Sequence, residues 1–72
     1  MTTDDRVLIQ HLFTLATEIL EDTHITASAG QSLERRPAQL MQYVEVLRAA
    51  ARDLDASAHA ILAVLNKNIR TP

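Results

Sequence analysis

Two pairs of residues, each a carboxylate and a histidine, have a spacing found in metal-binding or catalytic sites on helices. Glu21 and His24 have the Glu-x-x-His spacing with which ferritin-like helical bundles bind two metal ions. Such a site needs ligands that project into the bundle and further carboxylates from other helices. At about 100° per residue, Glu21 lies nearly opposite the apolar side of its predicted helix. The second helix offers no evident inward glutamate, so the pattern favours a solvated helix end over a metal site.

Asp55 and His59 lie four residues apart. A carboxylate at that distance can orient an imidazole for acid–base or phosphotransfer chemistry. No nucleophile, glycine-rich phosphate loop or second catalytic group is spaced to work with this pair, and we interpret it as a surface ion pair. The third histidine, His11, falls on the polar side of its predicted helix. We therefore predict no catalytic residue, no metal ligand and no cofactor, and keep a metal-binding or catalytic bundle as an alternative.

Length and composition limit the fold to one small domain covering residues 1–72. Hydrophobic residues make up 47% of the 72 residues and charged residues 22%, which is a globular balance. A chain this short buries a smaller share of its surface on folding than a larger domain does, and small folds usually add disulfides, a metal or a partner chain. The sequence contains no cysteine, so a partner chain is the leading expectation.

The charge of the chain argues against nucleic acid and membrane partners. The net charge is -2 and the pI is about 5.8, so no overall positive field attracts phosphate backbones or anionic lipid. The two basic clusters, at residues 35–36 and at Lys67 with Arg70, fall at opposite ends of the second helix. The longest apolar run, residues 60–65, is far shorter than the roughly 20 residues that span a bilayer. We expect a cytoplasmic protein, with a small nucleic-acid-binding dimer as a second alternative.

The first helix is predicted over about residues 4–23. Thr2 or Thr3 can cap its start, and two acidic residues follow in the first turn. Two neighbouring apolar stripes cover one side of this helix: Leu8, Leu12, Leu15 and Ile19 in the first, and Ile9, Phe13, Ala16 and Leu20 in the second. The β-branched residues around Thr23 and the acidic pair before it favour an end near residue 23. The alternative is an extension to residue 29, closed by a left-handed Gly30.

The second helix is predicted over about residues 34–68, after a connection over about residues 24–36 that has room for a short third segment. Ser32 is the expected N-cap, and Pro37 places the helix start no later than itself. The main apolar seam repeats at spacings of four and three. It comprises Leu40, Val44, Leu47, Ala51, Leu54, Ala58, Ile61 and Leu65. A second stripe beside it is interrupted by Asp53 and Ser57.

These patterns predict an all-α antiparallel helical hairpin that forms a four-helix bundle as a homodimer. With the shorter first helix, residues near Asp5 would lie opposite about Asp55 and leave the end of the second helix uncovered. We therefore predict that the main seam, with Leu12 and Phe13, is an interface with a second copy or with another helical protein. Assembly would leave a candidate partner surface at Glu18, Glu21, Asp22, Arg35 and Arg36. The predicted function is a non-catalytic protein–protein interaction module, such as a small dimeric regulator, adaptor or assembly factor.

Overall fold

Two long helices packed side by side form the whole fold. The structure, a computed structural model, describes residues 1–70, except for the side chain of Arg70. Helix α1 spans Thr3–Ala29 and helix α2 spans Pro37–Arg70. They run antiparallel, since Asp5 at the start of α1 contacts Asn68 near the end of α2. The predicted all-α hairpin is confirmed, and the described residues contain no strand and no third helix.

The start of α1 has the predicted threonine cap. Thr2 has an extended backbone, with φ −74° and ψ 162°. Its hydroxyl oxygen accepts a hydrogen bond of 3.0 Å from the backbone N–H of Asp5. The cap satisfies one of the backbone donors that the first turn of a helix leaves without a partner.

Helix α1 continues past residue 23 to Ala29 because its threonines are accommodated within the helix. The hydroxyl of Thr23 donates to the carbonyl of Ile19 one turn earlier, and Thr14 and Thr17 make the same contact with their own preceding turns. This bond satisfies a β-branched polar side chain without leaving the helix. Thr23 and Thr26 are half-buried, so packing against α2 also favours the helical conformation over the low intrinsic propensity.

In the turn after α1, Gly30 has a right-handed helical backbone conformation. Gly30 has φ −70° and ψ −13°, so the predicted left-handed closure was wrong. Its N–H donates to the carbonyl of Thr26 at 3.1 Å. Arg35 completes the helix end, because its Nε donates to the carbonyl of Ala29 at 3.1 Å. The Arg35 guanidinium carbon also lies 5.9 Å from the centre of the Tyr43 ring on α2, which links the turn to both helices.

Helix α2 begins at Pro37, the residue type preferred at a first helical position. The carbonyl of Arg36 accepts the N–H of Leu40 at 3.1 Å. The Arg36 N–H in turn donates to Oε1 of Gln39 at 3.0 Å, which is one half of a capping box. Ser32 is not the N-cap that we predicted, because its hydroxyl accepts the N–H of Glu34 within the connection.

Contacts at the two ends of the hairpin fix the register of the helices. Asp5 lies opposite Asn68, and Gly30 lies against Tyr43. The prediction that Asp5 would lie opposite about Asp55 was therefore wrong, because it assumed an α1 that ended near residue 23. With the longer helix, α1 covers almost the full length of α2, and Ile61 is buried at 8% exposure.

The line of α2 residues that faces α1 differs from the predicted main seam. The two share Leu47, Leu54 and Ile61, and at the other positions the facing residue is generally the one before the predicted residue. The facing line consists of Tyr43, Leu47, Ala50, Leu54, Ser57, Ile61, Val64 and Asn68, all of them buried or half-buried, and the half-buried Ala49 and Ala60 lie beside it. Ser57 does not interrupt this line, because it is 6% exposed and its hydroxyl donates to the carbonyl of Asp53 at 3.0 Å. A serine satisfied within its own helix packs as a small residue.

The hairpin is a rod without a closed core. It measures 57 × 16 × 12 Å, with a radius of gyration of 16.6 Å, against about 11 Å for a compact domain of this length. No side chain among residues 1–69 is fully buried. The contact between the helices therefore shields only one side of each of them.

Candidate functional site: an exposed apolar face

One side of the hairpin carries more large exposed apolar side chains than the other, seven of the fifteen among the described residues. A residue that packs against the other helix is followed in the sequence by a residue rotated by about 100° around the helix axis. Because the two helices are antiparallel, these following residues of α1 and α2 lie on the same side of the hairpin. We call this side the apolar face. Its apolar members are Phe13 and Leu20 of α1 and Leu40, Val44, Ala51, Ala58, Leu62, Leu65 and Ile69 of α2. Arg48 and Asp55 follow the facing residues Leu47 and Leu54, so they interrupt this side of α2. Phe13 is 57% exposed and Leu20 is 56% exposed.

The residues predicted to form an interface with another chain divide into two groups. Four of them pack inside the hairpin, at buried or half-buried positions: Leu12, Leu47, Leu54 and Ile61. The other six are exposed and belong to the apolar face: Leu40, Val44, Ala51, Ala58, Leu65 and Phe13. The predicted seam thus contributes to two surfaces, and its outer half is accessible to another molecule.

The opposite face of the hairpin is less apolar. It holds an open cavity of about 300 Å³, and the residues that line it come from the middle of both helices: Ile19, Asp22, Thr23, Val46, Ala49, Ala50 and Asp53. Two carboxylates therefore line this cavity, whereas the one carboxylate on the side of the apolar face of α2, Asp55, is paired with His59. Helix α1 adds three large exposed side chains on the side of the cavity: Leu8 and Leu15, at 46% exposure each, and Ile25, at 69%.

The predicted chemical pairs lie in solvent. His59 Nε2 is 3.4 Å from Asp55 Oδ2, and each side chain is 73% exposed. Arg48 and Glu45 form a similar exposed pair at 3.6 Å. Glu21, His24 and His11 are also exposed, and no three acidic or histidine side chains within residues 1–70 come together as a metal site. Exposed ion pairs of this kind contribute little to stability and form a solvated edge.

The residues of the predicted partner surface lie at two places, on α1 and in the connection between the helices. Glu18, Glu21 and Asp22 are exposed on α1, and Asp22 lines the cavity of the opposite face. Arg35 is engaged by the Ala29 carbonyl and the Tyr43 ring, so its contacts are those of a residue that holds the turn. Arg36 is exposed.

A polar cluster that the sequence analysis missed joins the free ends of the helices. Asn68 Nδ2 donates to Asp5 Oδ2 at 3.1 Å and to the carbonyl of Val64 at 2.8 Å, and Lys67 Nζ lies 3.7 Å from Asp5 Oδ1. The Asn68 hydrogen bond lowers the pKa of Asp5 and the Lys67 charge lowers it further, against partial desolvation, which raises it. The sequence does indicate this position of Asp5. Asp5, Ile9, Leu12 and Ala16 are spaced by four, three and four residues, so they share the side of α1 that faces α2.

No helix within residues 1–70 has an apolar segment long enough to cross a membrane. No protein-family model matches this chain, and neither a curated protein nor a solved structure is detectably similar to it.

Proposed function

We propose that this chain is a non-catalytic protein–protein interaction module that works as a homodimer, as a small regulator, adaptor or assembly factor. The observation that carries the proposal is the apolar face, which extends along α2 from Leu40 to Ile69 with interruptions at Arg48 and Asp55, and includes Phe13 and Leu20 of α1. Large exposed apolar patches bordered by polar residues mark sites of association.

The total accessible surface supports burial against another chain. The hairpin exposes 5818 Å² for a mass of 8.0 kDa. A compact monomer of that mass exposes about 4,500 Å², so the excess is more than about 1,000 Å². A standard interface buries about 800 Å² on each partner. The excess surface is thus large enough for one stable interface per chain.

The placement of the polar groups favours this class over an enzyme. Catalytic groups act together in a cleft that limits the access of water, whereas the Asp55 and His59 pair is exposed on one helix. Asp5, whose pKa is lowered, is occupied by Asn68 and Lys67 at the end of the hairpin. These contacts are typical of a group that stabilises the fold.

Sedimentation equilibrium of the purified chain tests the proposal. We expect a mass of twice 8.0 kDa over the micromolar range, because isologous dimers are the commonest way to cover such a surface. A mass of 8.0 kDa at every concentration, with helix content unchanged, would overturn the dimer and with it the proposed function.

A further inference from the structure

We infer that the second copy binds the apolar face, with α1 of each copy packed against α2 of the other. The inference rests on the proposed dimer and adds which of the two sides is covered and how the helices pair. The opposite face has Asp22 and Asp53 along its cavity, and burying carboxylates without partners is costly. The charged groups on the side of the apolar face, Asp55 and Arg48, already have partners in His59 and Glu45, so covering this side costs less.

The side chains of the apolar face are complementary in size between the two helices. Helix α1 contributes two large side chains, Phe13 and Leu20, seven residues apart. Helix α2 contributes two exposed alanines, Ala51 and Ala58, also seven residues apart. A large side chain on one helix fits the space that a small one leaves on its neighbour, so α1 is suited to pack against α2 of a second copy.

The register of the hairpin places these residues at similar heights. With Asp5 opposite Asn68 and Gly30 beside Tyr43, the heights of Leu20 and Ala51 differ by two residues, about 3 Å, and those of Phe13 and Ala58 differ by the same amount. A two-fold axis parallel to the helices preserves height, so each large side chain of one copy meets an alanine of the other. The result is a four-helix bundle in which all neighbouring helices are antiparallel.

A matched pair of leucine variants tests which face is covered. Leu20 lies on the apolar face and Leu15 on the opposite face of the same helix, at 56% and 46% exposure. We expect Leu20→Glu to halve the mass measured by sedimentation, because a carboxylate would be buried in the interface. We expect Leu15→Glu to remain a dimer. Dissociation by Leu15→Glu alone, or equally by both variants, would overturn the choice of face while the proposed function stands.

Cysteine cross-linking tests how the helices pair and does not depend on a destabilised variant. The sequence contains no cysteine, so each introduced thiol is unique. We expect a mixture of Leu20→Cys and Ala51→Cys chains, refolded together and oxidised, to give a covalent heterodimer. The control is a mixture of Leu15→Cys and Ala49→Cys chains, which we expect to stay uncrosslinked. Cross-linking of Leu20→Cys only to itself would overturn the pairing of α1 with α2.

Discussion

Asp5 and Asn68 join the two helices at the end of the hairpin away from the turn. The carboxylate accepts the Asn68 amide at 3.1 Å and lies 3.7 Å from the Lys67 ammonium. The Asn68 hydrogen bond and the Lys67 charge both favour the ionised form, so the pKa of Asp5 in the folded hairpin is below 3.8, its ordinary value. Ionised Asp5 therefore stabilises the folded state.

The pH dependence of stability follows from this lowered pKa. Because the folded pKa is below the unfolded one, the contribution of Asp5 is complete above the unfolded value of 3.8 and is lost as the pH falls through the folded value. We expect the free energy of unfolding to fall less in Asp5→Asn than in the wild type between about pH 5 and pH 2. Urea titrations across that range measure the difference.

The neighbouring Asp4→Asn variant is the matched control for this measurement. Asp4 is exposed in the same first turn of α1 and shares its favourable interaction with the helix dipole. We expect Asp4→Asn to retain most of the wild-type pH dependence. Equal flattening of the pH dependence in both variants would assign the effect to the helix dipole and contradict a specific role for Asn68 and Lys67.

At the scale of the helices, hydrophobic spacing and capping chemistry predict most of the hairpin. The Thr2 cap and the apolar periodicity locate both helices, because these signals are local. The end of α1 is less predictable from the sequence, since the threonines at 23 and 26 have low helix propensity in isolation. Their conformation depends on a hydroxyl bond to the preceding turn and on packing against α2, which is a tertiary effect.

The predicted main seam divides into residues that face α1 and residues that remain exposed, and this division is also a tertiary effect. Counting apolar residues favours the line through Leu40 and Leu65, because the neighbouring line contains Ser57. In the folded hairpin Ser57 is buried and bonded to the Asp53 carbonyl, so the neighbouring line faces α1. The sequence predicts which residues are candidates for an interface, but the register between the helices decides which of them remain exposed.

The right-handed conformation of Gly30 leads to a prediction about the end of α1. A Cβ added at Gly30 would lie 3.5 Å from the Ala27 carbonyl oxygen and 3.8 Å from the Tyr43 ring, which are ordinary contact distances. Gly30→Ala should therefore raise the free energy of unfolding by about 0.4–1 kcal/mol, because it restricts the unfolded chain without strain in the folded one. Urea unfolding at one fixed protein concentration measures the change.

A second variant at this position separates the two conformations of the turn. Asparagine tolerates the left-handed conformation better than alanine does. We expect Gly30→Asn to be less stable than Gly30→Ala, since the backbone is right-handed. The reverse order, with Gly30→Ala less stable than the wild type, would mean that the helix ends in the left-handed conformation.

At the scale of the whole molecule, the hairpin lacks the buried core that usually stabilises a small domain. Only Ala50, Ser57 and Ile61 are buried among residues 1–69, and the apolar face is open along α2. Since the net stability of a domain is a small difference between apolar burial and chain entropy, this much exposed apolar surface leaves a single hairpin marginal. The proposed dimer supplies the missing burial, so folding and assembly should be coupled.

Thermal unfolding at several protein concentrations tests that coupling most directly. If two unfolded chains form from each folded dimer, the unfolding midpoint depends on total protein concentration. A tenfold increase in concentration changes the free energy by about 1.4 kcal/mol, which corresponds to about 4 °C for two chains of this length. We predict a rise of that size in circular dichroism melts for each tenfold step. A midpoint that does not change with concentration would contradict a fold stabilised by a second copy.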